Sequence, residues 1–284
     1  MRIFYITNAR LPTEKAHGLA TVQLCHAFAR QGAEVTIFAP WRSNPLKSDP
    51  YEYYGVSRNF RIRYLPSIDL LWLGFGKRFF FLVQLFSFSL VAALWLLLRY
   101  GFSGGLRGTV IFSHDHIPLF FISFFAPNIF YDAHHYPERT RLYTRVLERA
   151  IGVAVQTKWK ITALKKDFGI PESKIVYWPN GTDIERFDIP LSQSRARERL
   201  GLPPDKKIVL YTGQLFSWKG VDTLVEAAKT FPKGIDTYIV GGSPRDIERL
   251  KTLNPNPQPL TPVFVGQRPW IEIPLWLKAA DVLV

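Results

Sequence analysis

Cysteine is almost absent from these 284 residues, with Cys25 standing alone. One thiol excludes an internal disulfide and offers no cysteine cluster to a metal, so a reducing compartment suits the chain. Cys25 falls inside a helical pattern and reads as a small buried hydrophobe. Acidic residues are also scarce, 23 against 36 basic ones, for a formal net charge of +13. That excess calls for an anionic partner: nucleic acid, a membrane surface or a phosphorylated substrate. Nucleic acid is the weakest of the three, because there is no helix-turn-helix or zinc-finger spacing, no RNA-binding aromatic signature and no basic tail. The first βα turn, Thr7–Pro12, lacks G-x-G-x-x-G, which removes support for a dinucleotide site and for a dehydrogenase. No secretory signal is legible, since only Ile3–Ile6 is apolar before Asn8 and Arg10. With 47% hydrophobic residues and no low-complexity tract, the chain is globular and long enough for two domains.

What the chain does contain is a regular alternation of short apolar runs and helical patterns, the mark of an α/β fold with doubly wound parallel sheets. Strands are expected at Ile3–Ile6, Val35–Phe38, Val110–Phe112, Ile129–Tyr131, Val153–Gln156 and Ile175–Trp178. Leu19–Arg30 reads as a helix stopped by Gly32, and Lys158–Phe168 as another closed by Gly169. The polar, proline-bearing stretch 188–207, with a short helix near Arg195–Leu200, reads as an interdomain connection. A second series follows, with strands at Ile208–Tyr211, Thr237–Val240, Val263–Val265 and Asp281–Val284. The expected division is therefore 1–187, a linker at 188–207, and 208–284. Because the chain stops inside an apolar strand, the second domain is expected to be incomplete and the chain a fragment or truncated product.

The stretch Ile208–Ala228 is the most informative. An apolar strand runs into Gly213, then Lys219 and Gly220, then a helix marked by Val221, Leu224, Val225 and Ala228. A helix start offers unpaired N–H groups and partial positive charge, and Lys219 adds a full one, so a nucleotide diphosphate would suit the place. An ordinary βα turn gives the same pattern.

Phe79–Leu98 is twenty residues without charge, flanked by Lys77, Arg78 and Arg99, and by length could span a bilayer. Strands of one sheet lie on both sides of it, which a single span cannot satisfy. The remaining choices are a greasy internal helix or peripheral contact with a membrane interface through residues 70–100. Trp72, Trp95 and Tyr100 and the basic flanks suit the interface, while Gln84, Ser87 and Ser89 form only a weak polar side. Arg141, Arg145 and Arg149 recur at i, i+4, i+8 as a basic stripe or a solvated helix face.

Four segments in order resemble the family 4 glycosyltransferases, retaining enzymes of the two-domain GT-B fold. They are Lys-Ile-Val-Tyr-Trp-Pro-Asn-Gly-Thr-Asp at 174–183 with Phe187 following, and Tyr-Thr-Gly-Gln-Leu-Phe-Ser-Trp-Lys-Gly at 211–220. Phe264-Val-Gly266 followed by Ala279–Val284 is the third. Pro12–Gly18 ahead of a helix, then Gln31-Gly-Ala-Glu-Val35, is the fourth. The resemblance implies two Rossmann-like domains, the first for acceptor and the second for a nucleotide-diphosphate sugar, with no metal required. It places Gly18, Gly213, Gln214, Lys219, Gly220 and Gly266 against the donor, Lys219 on its diphosphate and the Gly18 amide close by. His134, in Tyr131-Asp-Ala-His-His135, takes the family's catalytic position at the cleft beside the donor sugar, and His17, Asp115 and His135 fall to the acceptor. His114, Asp115 and His116 form a further cluster that could suggest a metal, but substrate contact fits this fold better.

Gln214 stands where the family usually has arginine, giving up one positive charge on the diphosphate. The family's paired-glutamate element would lie beyond Val284. The 284 residues alone are thus expected to be inactive, and the full protein a glycosyltransferase of hexosyl type. The implied acceptor is a surface glycan or lipid-linked sugar at the cytoplasmic membrane face. Rival readings are a sugar-nucleotide epimerase of the same architecture and a non-catalytic module that binds membrane or a partner.

Overall fold

The computed structural model describes residues 1–252 and 262–284 and resolves them into two units, Met1–Gly181 and Thr182–Val284. Unit one is built on β1 (Arg2–Ile6), β2 (Glu34–Pro40), β3 (Arg61–Leu65), β4 (Thr109–Ser113), β5 (Ile129–Asp132), β6 (Ala150–Val155) and β7 (Ile175–Tyr177). All pair in parallel, in the order β3-β2-β1-β4-β5-β6-β7. Parallel strands need crossovers, and the helices that supply them cover both faces. Helices α1 (Ala16–Arg30) and α2 (Pro50–Tyr54) close one face, where Val22, Cys25 and Tyr54 pack on Ile3, Tyr5, Val35 and Ile37. On the other lie α3 (Lys77–Leu96), α4 (His116–Ile122), α5 (Arg141–Arg149) and α6 (Lys158–Phe168), whose Phe88, Leu96, Leu119, Ile122, Val146 and Leu164 pack on Ile6, Phe38, Ile111 and Ile129. Full burial of such a side chain stabilises the fold by about 1.5–3 kcal/mol.

The winding reverses between β1 and β4: the chain leaves β1 toward β2 and β3, then returns to build outward from β4. In such sheets the crevice beyond the strand carboxyl ends at the reversal is where ligands are held.

Unit two contains α7 (Ile184–Phe187), α8 (Gln193–Leu200), β8 (Lys207–Thr212), α9 (Val221–Ala228), β9 (Ile235–Val240), α10 (Pro244–Thr252), β10 (Val263–Gly266), α11 (Ile273–Ala279) and β11 (Val282–Leu283). Its smaller parallel sheet runs β10-β9-β8-β11 and reverses between β8 and β11. The expected α/β fold of two doubly wound parallel sheets, the second smaller, is what the structure has.

The division between units differs in position from the sequence reading. It falls after Gly181, and the stretch 188–207 does not behave as a free connection. Ala196 of α8 is fully buried with Leu210, Tyr238 and Ala279. Arg197, also buried, bonds the carbonyls of Ala279 (2.9 Å), Pro204 (3.2 Å) and Lys206 (3.0 Å) and the Asp281 carboxylate (2.5 Å). A buried guanidinium needs such a full set of acceptors, and here they tie α8 into unit two.

Helix α3 is apolar on both its sides, with two polar residues on the inward one. Its inward side carries Gln84, Phe88, Ser89, Ala92 and Leu96, all fully buried. Gln84 is satisfied by a reciprocal amide pair with Asn8 (3.2 and 2.9 Å), and Ser89 Oγ donates to the Leu85 carbonyl (2.6 Å). The weak polar side expected from Gln84 and Ser89 is therefore the buried side, because these two find partners inside. Ser87 alone turns outward enough to accept from the Ile68 amide (3.0 Å). The helix passes at Leu97–Gly101 into a short π-helical turn.

Candidate functional site

In unit one, residues from four elements meet beyond the strand ends at the reversal. Ser113 ends β4 fully buried and donates to the Ile6 carbonyl (2.6 Å), while its Oγ accepts the Asp115 amide (2.8 Å). This turn aims the Asp115 carboxylate at the loop after β1, where it accepts the Asn8 amide (2.7 Å). The Asn8 side chain is held in turn by Gln84 of α3.

Tyr5 lies beneath. Burial pushes its phenol well above the ordinary value, so the hydroxyl keeps its proton, and it shares a hydrogen bond with His114 Nδ1 at 2.9 Å. The other ring nitrogen, Nε2, faces Asp115 Oδ2 at 3.5 Å. The His114 ring lies 6.4 Å from His17 of α1 and 6.2 Å from His134 after β5. His134 Nε2 is 3.1 Å from Asp132 Oδ2, and Asp132, buried at the end of β5, also accepts from the Gln156 side chain (2.6 Å).

The segment bearing His134 is fixed by Lys160 of α6. This lysine is buried and donates to the carbonyls of Ala133 (2.7 Å) and His134 (2.6 Å) and to Gln156 Oε1 (3.0 Å). Desolvation lowers its pKa while Asp132 opposes the shift. The result is a half-exposed imidazole held at its backbone, beside a carboxylate that can orient its ring.

Among the expected residues of this unit, His17, Asp115 and His134 thus converge. His135 is exposed beside His134. Gly18 is buried, with its amide donating to the Lys15 carbonyl (3.1 Å); a Cβ there would fall 2.3 Å from Thr13 Cγ2 and 2.6 Å from Tyr54 Oη. Its lack of a side chain serves this internal approach. His116 stacks on Tyr143 at 3.9 Å between ring centres, and burial lowers its pKa. Among the described residues no group of three or more His, Cys, Asp or Glu is arranged to hold a metal ion.

In unit two, the loops after β8, β9 and β10 stack on one another through glycine. The Gly213 amide bonds the Val240 carbonyl (3.0 Å), and the Gly241 amide bonds the Gly266 carbonyl (2.8 Å). A Cβ on Gly241 would lie 2.0 Å from the Gly213 oxygen, and one on Gly242 2.3 Å from Leu215 Cδ1. Gly213, Gly241, Gly242 and Gly266 all have positive φ. Beyond this glycine stack, a single turn at Ser217–Lys219 leads to Gly220, left-handed at φ 74°, which starts α9. Lys219 is exposed, its ammonium 4.5 Å from the Trp218 ring centre, and Trp218 stacks on Phe216 at 5.9 Å. Gln214 has its carbonyl fixed by Tyr211 Oη (2.8 Å). Gly213, Gln214, Lys219, Gly220 and Gly266 thus gather at the carboxyl ends of one sheet, an exposed cation beside unpaired helix-start amides, which is an arrangement suited to phosphate.

Sequence reasoning missed Tyr5, Asp132, Gln156 and Lys160, which carry no local signature, and Gly241-Gly242, which does: a glycine pair directly after the apolar run Thr237–Val240.

Two parallel-sheet α/β units, each with its candidate site beyond the carboxyl ends of its strands, give the two-domain GT-B architecture. The model of Glycosyltransferase Family 4 matches residues 18–186, more than half of the chain, and the chain belongs to that family. Among curated relatives, the D-inositol 3-phosphate glycosyltransferase of Xylanimonas cellulosilytica is 27% identical over 150 residues, covering 49% of this chain and 36% of the relative. The alpha-galactosylglucosyldiacylglycerol synthase of Streptococcus pneumoniae is 33% identical over 105 residues, covering 34% and 28%. The match thus spans little more than a third of the first relative and less of the second. Among solved structures, Anabaena Alr3699/HepE in complex with UDP and glucose superposes with a TM-score of 0.67 at 17% identity, covering 100% of this chain and 73% of that one. Sucrose-phosphate synthase of Thermosynechococcus elongatus gives 0.69 at 20% identity, covering 99% and 74%. At such identities the structural likeness concerns the fold.

Proposed function

We propose that the protein is a retaining glycosyltransferase that moves a hexosyl group from a nucleotide-diphosphate sugar to a lipid-linked or surface-glycan acceptor. It works at the cytoplasmic face of the membrane. The observation that carries this reading is the donor-type loop of unit two: exposed Lys219 and the start of α9 beside the stacked turns at Gly213, Gly241 and Gly266. Charge develops on the departing diphosphate, and a cation with preoriented N–H groups stabilises it there without a metal ion. Gln214 contributes hydrogen bonding where a second cation would have been stronger.

In unit one, His134 is the group proposed to contact the donor sugar. Asp132 orients its ring from 3.1 Å and Lys160 holds its backbone. His17, Asp115 and His135 are proposed to receive the acceptor. A lipid-linked acceptor agrees with the net charge of +13 and with the exposed apolar side of α3, through which the enzyme would make peripheral membrane contact.

The test is to incubate the full protein with a panel of nucleotide sugars and glycolipid or oligosaccharide acceptors, and to read the product's anomeric configuration by NMR. Transfer with the donor's configuration kept is expected. Transfer with inversion would remove the retaining mechanism, and robust transfer to soluble sugars with no gain from lipid would remove the lipid-linked acceptor.

A further inference from the structure

Resting on the reading of unit two as the donor site, we propose that Arg249 of α10 is a positioning residue for donor binding. It fixes the loop between β8 and α9 by its backbone, and it cancels the charge of Asp222, which stands in the first turn of α9 beside the proposed place of the diphosphate.

Asp222 is an awkward neighbour for an anion. It follows Gly220 and Val221 in the same first turn whose unpaired N–H groups would face a phosphate. A carboxylate is favoured at a helix start for the same reason that a phosphate is. A bare Asp222 would therefore compete with the diphosphate for that partial positive charge and repel it directly. The surrounding sequence gives no relief: from Gly213 to Ala228 the chain carries two acids, Asp222 and Glu226, against the single cation Lys219.

The balancing cation comes from α10. Arg249 Nη1 donates to both carboxylate oxygens of Asp222, at 2.9 and 3.0 Å, and Nη2 donates to the Leu215 carbonyl at 3.0 Å. A planar guanidinium holds a carboxylate and a carbonyl together in this way, whereas an ammonium is a point charge without the fork. Leu250, the next residue, is fully buried with Leu215, Val221 and Leu224, so Arg249 is carried on an anchored turn. Asp246, on the same helix, is engaged by the Ser243 amide and hydroxyl (3.0 and 2.6 Å). The side chains of Arg249 and Asp222 are each 38% exposed, so their pairing adds little to stability. What it changes is the field at the start of α9.

The bond to Leu215 has a second effect. Leu215 is fully buried, and it lies so close to Gly242 that a Cβ there would fall 2.3 Å from Leu215 Cδ1. Its carbonyl is taken by Arg249, and the carbonyl of Gln214 before it by Tyr211 Oη (2.8 Å). Two successive carbonyls of the loop are thus tied to protein donors and kept from turning their lone pairs on an anion. The chain enters the turn at Ser217–Lys219 from a fixed point.

The experiment is calorimetric titration of the full protein and of R249M, D222N, D222N/R249M and K219A with uridine, guanosine and adenosine diphosphate sugars, each variant confirmed folded by circular dichroism. R249M should bind the preferred donor about tenfold more weakly, a charge left unopposed and a loop bond lost each contributing about threefold at a half-exposed position. D222N should bind it about threefold more tightly, because the Arg249 charge is then no longer offset. D222N/R249M should return to within about threefold of the wild type, and the deficit of R249M should narrow at about 1 M salt, where the screening length is about 3 Å. Equal affinity in R249M overturns the proposal. A double variant no tighter than R249M, or a D222N that binds no more tightly than the wild type, overturns the charge-cancelling role, and D222N gives that answer even where R249M does not fold. If K219A weakens binding and R249M does not, only this inference falls. No binding of any of the three donors by the folded wild type removes the donor-site reading and the inference with it.

Discussion

Replacing Gly241 by alanine puts the stacking of the donor-side loops to a quantitative test. The added Cβ would lie 2.0 Å from the Gly213 carbonyl oxygen and 3.0 Å from its carbonyl carbon, whereas ordinary contact begins at 3.4 Å. The obstacle is backbone, so it cannot rotate away, and one loop must move by more than 1 Å. Overpacking of this kind costs about 1–3 kcal/mol. The φ of 124° adds about 1–3 kcal/mol for a residue with a side chain, and the stiffer unfolded chain returns under about 1 kcal/mol. The net is a destabilisation of about 3–4 kcal/mol. At about 4–8 °C per kcal/mol for a unit of this size, the melting temperature should fall by about 12 °C or more. Gly234→Ala is the control. Its φ is also positive, at 96°, but a Cβ there meets nothing within 4 Å, so only the conformational cost applies, net about 1 kcal/mol. Scanning calorimetry of both variants reads the difference, and titration with a nucleotide sugar reads whether Gly213 has been displaced. Equal losses in the two variants would refute the close approach of these loops.

Other outcomes follow from the same structure. Lys160→Met leaves the carbonyls of Ala133 and His134 without their donor, so in the full protein kcat should fall with little change in donor KM, and the His134 ring resonances seen by NMR should move; unmoved resonances would deny Lys160 its positioning role. Hydrogen bonding from the Ile208 amide, then from Lys207 and Arg197, lowers the Asp281 pKa. Its stabilising contribution is therefore complete above the unfolded value of about 3.9 and lost as pH falls through the lower folded value, and Asp281→Asn should flatten this part of the stability–pH profile measured by urea unfolding. Burial pushes the Cys25 thiol well up, so iodoacetamide should label it only under unfolding conditions, and ready labelling of the native protein would contradict its place in the core.

The strands that fill the sheet interiors were legible because burial on both faces demands a continuous apolar run, as at Ile3–Ile6, Val35–Phe38 and Ile208–Tyr211. Helix α6 was legible to its last residue, since Gly169 after Phe168 adopts the left-handed turn that ends a helix. Edge strand β3 was not: Arg61 and Arg63 alternate with Ile62 and Tyr64, and with one side open to solvent the segment needs no continuous run. The segment 188–207 reads as a linker because its anchoring lies in Arg197, a residue whose usual place is the surface. The site was legible in its motif residues, Lys219 and His134 among them. Its support was not, because Tyr5, Asp132 and Lys160 are brought together only by the order of strands in the sheet. The inward turn of Gln84 depended on Asn8, 76 residues away.

The central claim, that the loop between β8 and α9 receives the donor diphosphate, is tested most directly by calorimetric titration of the 284-residue chain and of Lys219→Ala with a panel of nucleotide sugars. Lys219 is exposed, so its removal leaves the fold intact and reports on the ligand alone. The account predicts that one nucleotide sugar binds and that the variant binds it at least about tenfold more weakly, a difference of about 1.4 kcal/mol. Equal affinity in the two proteins would contradict it and place the diphosphate elsewhere.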